Sequence, residues 1–183
     1  MKILASIAGF IFVVIVILSV IAPSEYKISR EININRPAAQ VYTFAKTIQN
    51  APLWNAWFKL DPNIKIEYKS GADGEVGFIS SWESSHPEVG TAEQEITNLQ
   101  DNTRIDTEIR FKKPFVASFN SYIITEAQNP QLTKVTMGMR DDMGFPMYII
   151  SFVMCLFTDQ QEKMSQHMDA SLASLKQILE AGN

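Results

Sequence analysis

Cysteine is almost absent from this chain: one residue, Cys155, in 183. That excludes an internal disulfide and any cysteine-rich metal site. Only two histidines occur, His86 and His167, and neither has a second His or Cys at ligand spacing, so no metal is expected. Basic charge is also in deficit, with 16 Lys and Arg against 20 Asp and Glu and a formal net charge of −4. A nucleic-acid partner, which rewards clustered Lys and Arg, is therefore not expected, nor is tight docking on anionic lipid. Internal repeats, low-complexity tracts and charge blocks are all missing.

The first feature present is a long apolar run. From Ile3 to Ala22 no residue is charged. A helix of that length covers roughly 30 Å, the thickness of a bilayer's hydrocarbon core. A cleaved secretory signal is the alternative, but its apolar part is usually about 7–15 residues, and here Pro23 follows Ala22 directly. The expectation is one transmembrane anchor over 1–22 and one domain over 23–183. Orientation signals conflict. Lys27, Arg30 and Arg36 favour the domain inside, whereas a two-residue lead bearing Lys2 suits the domain outside, the side taken here.

Beyond the run, Tyr26, Ile28, Ile32 and Ile34 alternate with polar residues as in a half-buried strand, with Arg30 the exception on the apolar side. Pro37 suits the first turn of a helix carrying Val41, Phe44, Ala45 and Ile48. Asn50 and Pro52 break it, and Leu53 to Phe58 suggest a second short helical turn. From Ile64 to Met139 the period is two, with turn signals every 8–15 residues, including Gly71 to Gly77, His86-Pro87, Asp101-Asn102, Lys113-Pro114 and Asn129-Pro130. Six antiparallel strands follow from that pattern. Pro146 then opens a long helix, apolar all round from Met147 to Phe157 except for Ser151 and amphipathic afterwards, with Met164, Met168, Leu172, Leu175 and Leu179 on one stripe. An antiparallel sheet followed by such a helix packs by curling around it, which leaves a cavity between the two.

The run Ile32-Asn33-Ile34-Asn35-Arg36-Pro37-Ala38-Ala39-Gln40-Val41-Tyr42-Thr43-Phe44, followed by Trp54-Asn55-Ala56-Trp57, resembles the opening of the START-like SRPBCC superfamily. The subgroup it is most similar to is the one labelled polyketide cyclase/dehydrase and lipid transport. Ser81-Trp82-Glu83, Lys113-Pro114-Phe115, Thr133-Lys134-Val135-Thr136, Phe145-Pro146-Met147 and Ser171 to Lys176 extend the resemblance, in order, across nearly all of 26–180. It implies an α+β helix-grip (START/Bet v 1-like) fold, a curved seven-stranded sheet around the C-terminal helix with a deep apolar pocket. Met137 stands where relatives often carry Trp. The family has no shared catalytic residue, so the resemblance assigns no reaction.

No nucleophile elbow is present, and Cys155 reads as a buried hydrophobe. Glycines 71, 74 and 77 lie between strands, not before a helix, so they are turn residues rather than a nucleotide site. Glu83, Asp106, Glu108, Arg110 and Tyr122 are the strand-borne polar residues weighed for acid–base work, mostly as outer-face groups; no catalytic set and no cofactor are expected. The pocket candidates are Trp54, Trp57, Phe58, Phe78, Trp82, Met137, Met139, Phe145, Met147, Met154 and Phe157, a set rich in residues that repack around varied apolar ligands. The expected function is membrane-anchored binding of a lipid or other hydrophobic small molecule. A cyclase or dehydratase acting on a polyketide-like substrate is the alternative, and an interaction module using Met147–Phe157 is the third reading.

Overall fold

The computed structural model describes residues 2–114 and 116–181, with the side chains of 2–5, 8 and 11 outside the described set. Helix α1 (Lys2–Ile21) leads into strand β1 (Glu25–Ile34), helix α2 (Ala38–Lys46) and a single-turn helix α3 (Ala51–Trp54). Strands β2 (Lys65–Ser70), β3 (Ile79–Glu83), β4 (Thr91–Gln100), β5 (Arg104–Lys113), β6 (Ala117–Asn129) and β7 (Leu132–Asp142) follow. Helices α4 (Met147–Phe157) and α5 (Gln160–Ala181) close the chain.

All seven strands form one antiparallel sheet in the order β1-β7-β6-β5-β4-β3-β2. Hairpins join β2 through β7. The first strand instead pairs with the last, and α2 and α3 carry the chain to the opposite edge. The expectation of six strands after the helices holds. Asn102 takes a positive φ of 57° in the β4–β5 turn, a conformation that Asn tolerates better than most side chains.

Parity sorts the two faces. Ile34, Val135, Leu172, Leu175, Leu179, Val41 and Trp54 form one buried cluster, which places Ile32, Ile34, Val135 and Met137 on the face turned toward α5. Trp82, Val89 and Ala92 form another, with Phe58, Ile66, Ile109 and Phe111 packed against it. Arg30, the apolar-side exception, also follows this parity, and its guanidinium meets Asp169 of α5 at 3.3 Å. Small side chains let α5 approach. Ser171 is fully buried, its Oγ donating to the His167 carbonyl at 2.7 Å and accepting from the Ala56 N–H at 2.9 Å.

Four expectations change. Pro37 precedes α2 as an extended cap residue rather than entering its first turn. The single long C-terminal helix is two helices, because Thr158 is extended at φ −133°, ψ 149°. Cys155 is half-buried, since α4 buries only Ile149 completely. The span expected over 1–22 coincides with α1, yet among the described residues no helix is long and apolar enough to cross a membrane. Part of that run, and Phe115 of the Lys113-Pro114-Phe115 motif, lie outside the described residues.

Candidate ligand-binding cleft

The sheet's inner face is richest in chemistry along β3 to β7. In β5 the inner-facing residues are Ile105, Thr107, Ile109 and Phe111. Register carries that face through Ser121 and Phe119 of β6, Met137 and Met139 of β7, and Ala92, Gln94 and Ile96 of β4. Toward α2 the face is sealed, with Ile105 under Tyr42 and Ala45 and Ile96 under Ile48 and Phe78. Toward the other end, where α4 begins, Ile109, Phe111, Phe119 and Met139 keep partial solvent access. The inner face is thus sealed at one end and partly accessible to solvent at the other.

Aromatic edges line that open end. Phe58 meets Trp82 at 5.4 Å, Trp82 meets Phe111 at 6.3 Å and Phe111 meets Phe119 at 6.0 Å, each close to perpendicular. This geometry is the favourable one for ring quadrupoles. The β3–β4 turn reaches across to α5: Glu88 accepts from or pairs with His167 Nε2 at 3.1 Å, and His167 packs on Trp57 at 5.3 Å. The hydrogen bond from His167 holds the Glu88 carboxyl below its usual pKa, with Lys163 adding to the effect. Trp82 Nε1 donates to the Val89 carbonyl, which fixes the turn from beneath.

A polar row crosses this apolar floor. Gln94 Nε2 donates to Thr107 Oγ1 at 3.1 Å, and the Thr107 and Ser121 hydroxyls share a hydrogen bond of 2.6 Å. Buried Ser80 pairs with Gln94 on β3 and begins the row. None of these was singled out by sequence, although a signal exists. Ala92-x-Gln94-x-Ile96, Ile105-x-Thr107-x-Ile109 and Phe119-x-Ser121-x-Ile123 each place a polar residue at apolar parity. Among the described residues, two buried polar atoms, Tyr42 Oη and Trp54 Nε1, also have no hydrogen-bond partner.

The sequence-derived pocket candidates separate into three groups. Trp54, Phe78 and Trp82 are buried. Trp57, Phe58, Met137 and Met139 are half-buried. Phe145, Met147, Met154 and Phe157 stand exposed on or before α4. Two open grooves, of about 610 and 420 Å³, are lined mainly by polar residues, and the second also borders Thr107 and Ser121. The first runs between β1 and the α4–α5 junction; the second crosses β4–β7, mostly on the outer face.

That outer face holds the acid–base candidates. Arg110 bonds Glu93, Glu95 and Glu108 at 3.0, 2.8 and 2.7 Å. Hydrogen bonds from Lys112 and Arg110 lower the Glu93 pKa to about 2. Asp106 is held by Arg104 at 2.8 Å, and the Tyr122 ring lies under the Arg104 guanidinium at 4.8 Å. Glu83 is exposed on the side opposite Trp82. No cluster of His, Cys, Asp or Glu able to hold a metal occurs among the described residues.

The sequence matches no family model and no curated protein. Solved structures do match. A truncated norcoclaurine synthase from Thalictrum flavum superposes with a TM-score of 0.59 at 13% identity, covering 85% of this chain and 93% of that one. The Aha1 dimer subunit from Colwellia psychrerythraea gives 0.57 at 18% identity, covering 86% of this chain and 98% of that one. The Zhui aromatase/cyclase from Streptomyces sp. R1128 gives 0.56 at 12% identity, covering 87% and 99%. At such identities the likeness establishes the fold, which is the START/Bet v 1-like helix-grip fold.

Proposed function

We propose that this protein binds a lipid or other hydrophobic small molecule in the cleft between the sheet and α5, and that α1 holds it at a membrane. One observation carries the binding reading: an apolar, partly accessible floor crossed by a single hydrogen-bonded polar row. Such a surface buries a hydrocarbon body and orients one polar group. Burying about 300 Å² of ligand apolar surface would contribute roughly 7 kcal/mol before association costs, consistent with micromolar retention at best. Anchoring is supported by the uncharged run from Ile3 to Ala22 and by the short link of Pro23 and Ser24 before β1.

The second reading, a cyclase or dehydratase, draws on the fold shared with the Zhui aromatase/cyclase and on the polar row. Gln94, Thr107 and Ser121 do not titrate near neutral pH, so they can orient a substrate but are poor proton-transfer groups. Asp106, Arg110 and Glu83 lie on the outer face. Asp141, near the end of β7 with its pKa raised mainly by burial, and the Glu88–His167 pair at the open end are the ionisable groups this reading could use. Binding is therefore the stronger conclusion.

Full-length protein purified from membranes in mild detergent, then examined by native mass spectrometry and solvent extraction, should release a hydrophobe that competes with an environment-sensitive dye. A chain that yields none, and whose dye signal is unchanged by Ile109→Glu, would refute cleft binding. Turnover of a polyketide-like substrate that Asp141→Asn abolishes would establish the enzyme instead.

A further inference from the structure

Helix α4 is the part of the molecule that cleft binding does not use. From Met143 to Thr158 no residue is charged, and only Ile149 of α4 is fully buried. Met147, Ile150, Met154 and Phe157, which fall on one helical stripe, are 56%, 47%, 49% and 83% exposed. Leaving such a stripe in water is unfavourable, so something of matching chemistry covers it.

Continuity with α1 identifies the cover. Tyr148 Oη of α4 donates to the Ser19 carbonyl of α1 at 3.3 Å, placing α4 beside the C-terminal end of α1. There Val16, Ile17, Val20 and Ile21 are exposed as well. Along α1, exposed apolar side chains occur on all sides, Phe10, Phe12, Val13 and Val20 among them. A protein partner covers one stripe and leaves polar residues on the rest; a helix apolar all round suits lipid. The polar boundary is equally sharp. Charge returns at Asp159, one residue after the break, and Lys27, Arg30, Glu162 and Asp169 line the groove beside that junction.

We infer that α4 is immersed in the acyl-chain layer of the same bilayer as α1, with Thr158 near the polar boundary. The inference rests on the anchor reading of α1. Cys155 of α4 and Ile28 of β1 border one groove, so α4 sits at the end of the sheet where Met139 and Phe119 leave the cleft open. Immersion of α4 would set that open end against the membrane, and a ligand could pass between bilayer and cleft without crossing water.

The test uses full-length protein in phosphatidylcholine vesicles with Cys155→Ser as background. Met154→Cys, Val20→Cys and Glu162→Cys variants are each labelled with a polarity-sensitive fluorophore and exposed to acyl-chain nitroxide lipid or aqueous iodide. The expected result is blue-shifted emission at positions 154 and 20, lost to nitroxide lipid and resistant to iodide, with the reverse at 162. Iodide quenching at 154 with lipid quenching at 20 overturns the inference and leaves the anchor standing. Iodide quenching at both overturns both. Protection of 154 from both quenchers, with cross-linking between copies, assigns the stripe to a second chain and also overturns the inference.

Discussion

Replacing Thr107 with Val tests whether the polar row is built for a ligand's polar group. The side chain is 5% exposed, and Val matches its shape while deleting the one oxygen that meets both Gln94 and Ser121. Two hydrogen bonds at about 0.5–1.5 kcal/mol each set the gross loss. Gln94 and Ser121 are only half-buried, so water from the cleft re-solvates them and holds the loss near the low end. The new methyl returns up to about 0.8 kcal/mol, leaving a net destabilisation of about 0.2–1 kcal/mol in urea unfolding of the detergent-solubilised chain. Binding should respond more sharply. A long-chain alcohol that bonds the row should bind about 5–10-fold more weakly, close to 1 kcal/mol, while the alkane of equal length binds as before. Combining Thr107→Val with Ser121→Ala should show coupling of about 0.5–1 kcal/mol, because each substitution removes the same 2.6 Å bond. Additive stabilities, together with equal weakening of alcohol and alkane, would refute a polar row that orients ligand.

Gly138→Ala should cost about 1–3 kcal/mol, because an added Cβ would run into the Tyr122 ring packed flat on the backbone there; Tyr122→Ala in the same chain should recover part of the loss in thermal unfolding. Arg36 donates through Nε to the Leu179 carbonyl at 2.8 Å and through Nη2 to the Glu180 carbonyl at 3.1 Å, closing the C-terminal turn of α5. Arg36→Met should lower stability by about 2 kcal/mol and speed amide exchange in residues 176–181; unchanged exchange there would count against a capping role. Glu93 is deprotonated more readily in the folded chain than in the unfolded one, so its contribution is complete above its unfolded pKa near 4.5 and disappears as pH falls toward about 2. After solvent screening this is of order 1 kcal/mol, so Glu93→Gln should lower stability by about that amount at pH 7 and flatten the stability profile between about pH 4.5 and 2, where the two chains converge.

The sheet was legible because one face is buried, and a buried face forces period two on β1, β5, β6 and β7. Even Arg30 fits, since its parity brings it to Asp169 on α5. The helix break was also encoded: Asp159 followed by Glu162 has the spacing of a capping box, and the Lys163 N–H bonds the Asp159 carbonyl as a helix start requires. Continuous hydrophobicity from Met147 to Phe157 obscured that signal, because apolarity alone does not mark where a helix stops. The site was less legible. Aromatics and methionines attract notice by size, yet Trp54 and Phe78 are core and Phe157 is exposed, while the distinguishing groups are small. Thr107 and Ser121 become meaningful only when pairing sets them 2.6 Å apart, and single-strand patterns do not supply that register.

Length explains why the C-terminal segment divides as it does. α5 has 22 residues, which rise about 33 Å, and the 10 residues of β1 extend about 33 Å as well. The helix is therefore matched to the strand it packs against. Continuing it back through α4 would have added about 16 Å of helix beyond the end of the sheet, with no strand beneath it. Such an overhang in water would need a charged or polar surface to be tolerated. This one carries no charge from Met143 to Thr158. The extended residue at Thr158 turns it aside instead, where Tyr148 meets α1. The apolar character of α4 is thus not a surplus of core residues, since the core is complete without it. It is what the sequence requires if the overhang of the gripping helix lies in lipid, and the open end of the cleft lies beside it for the same reason.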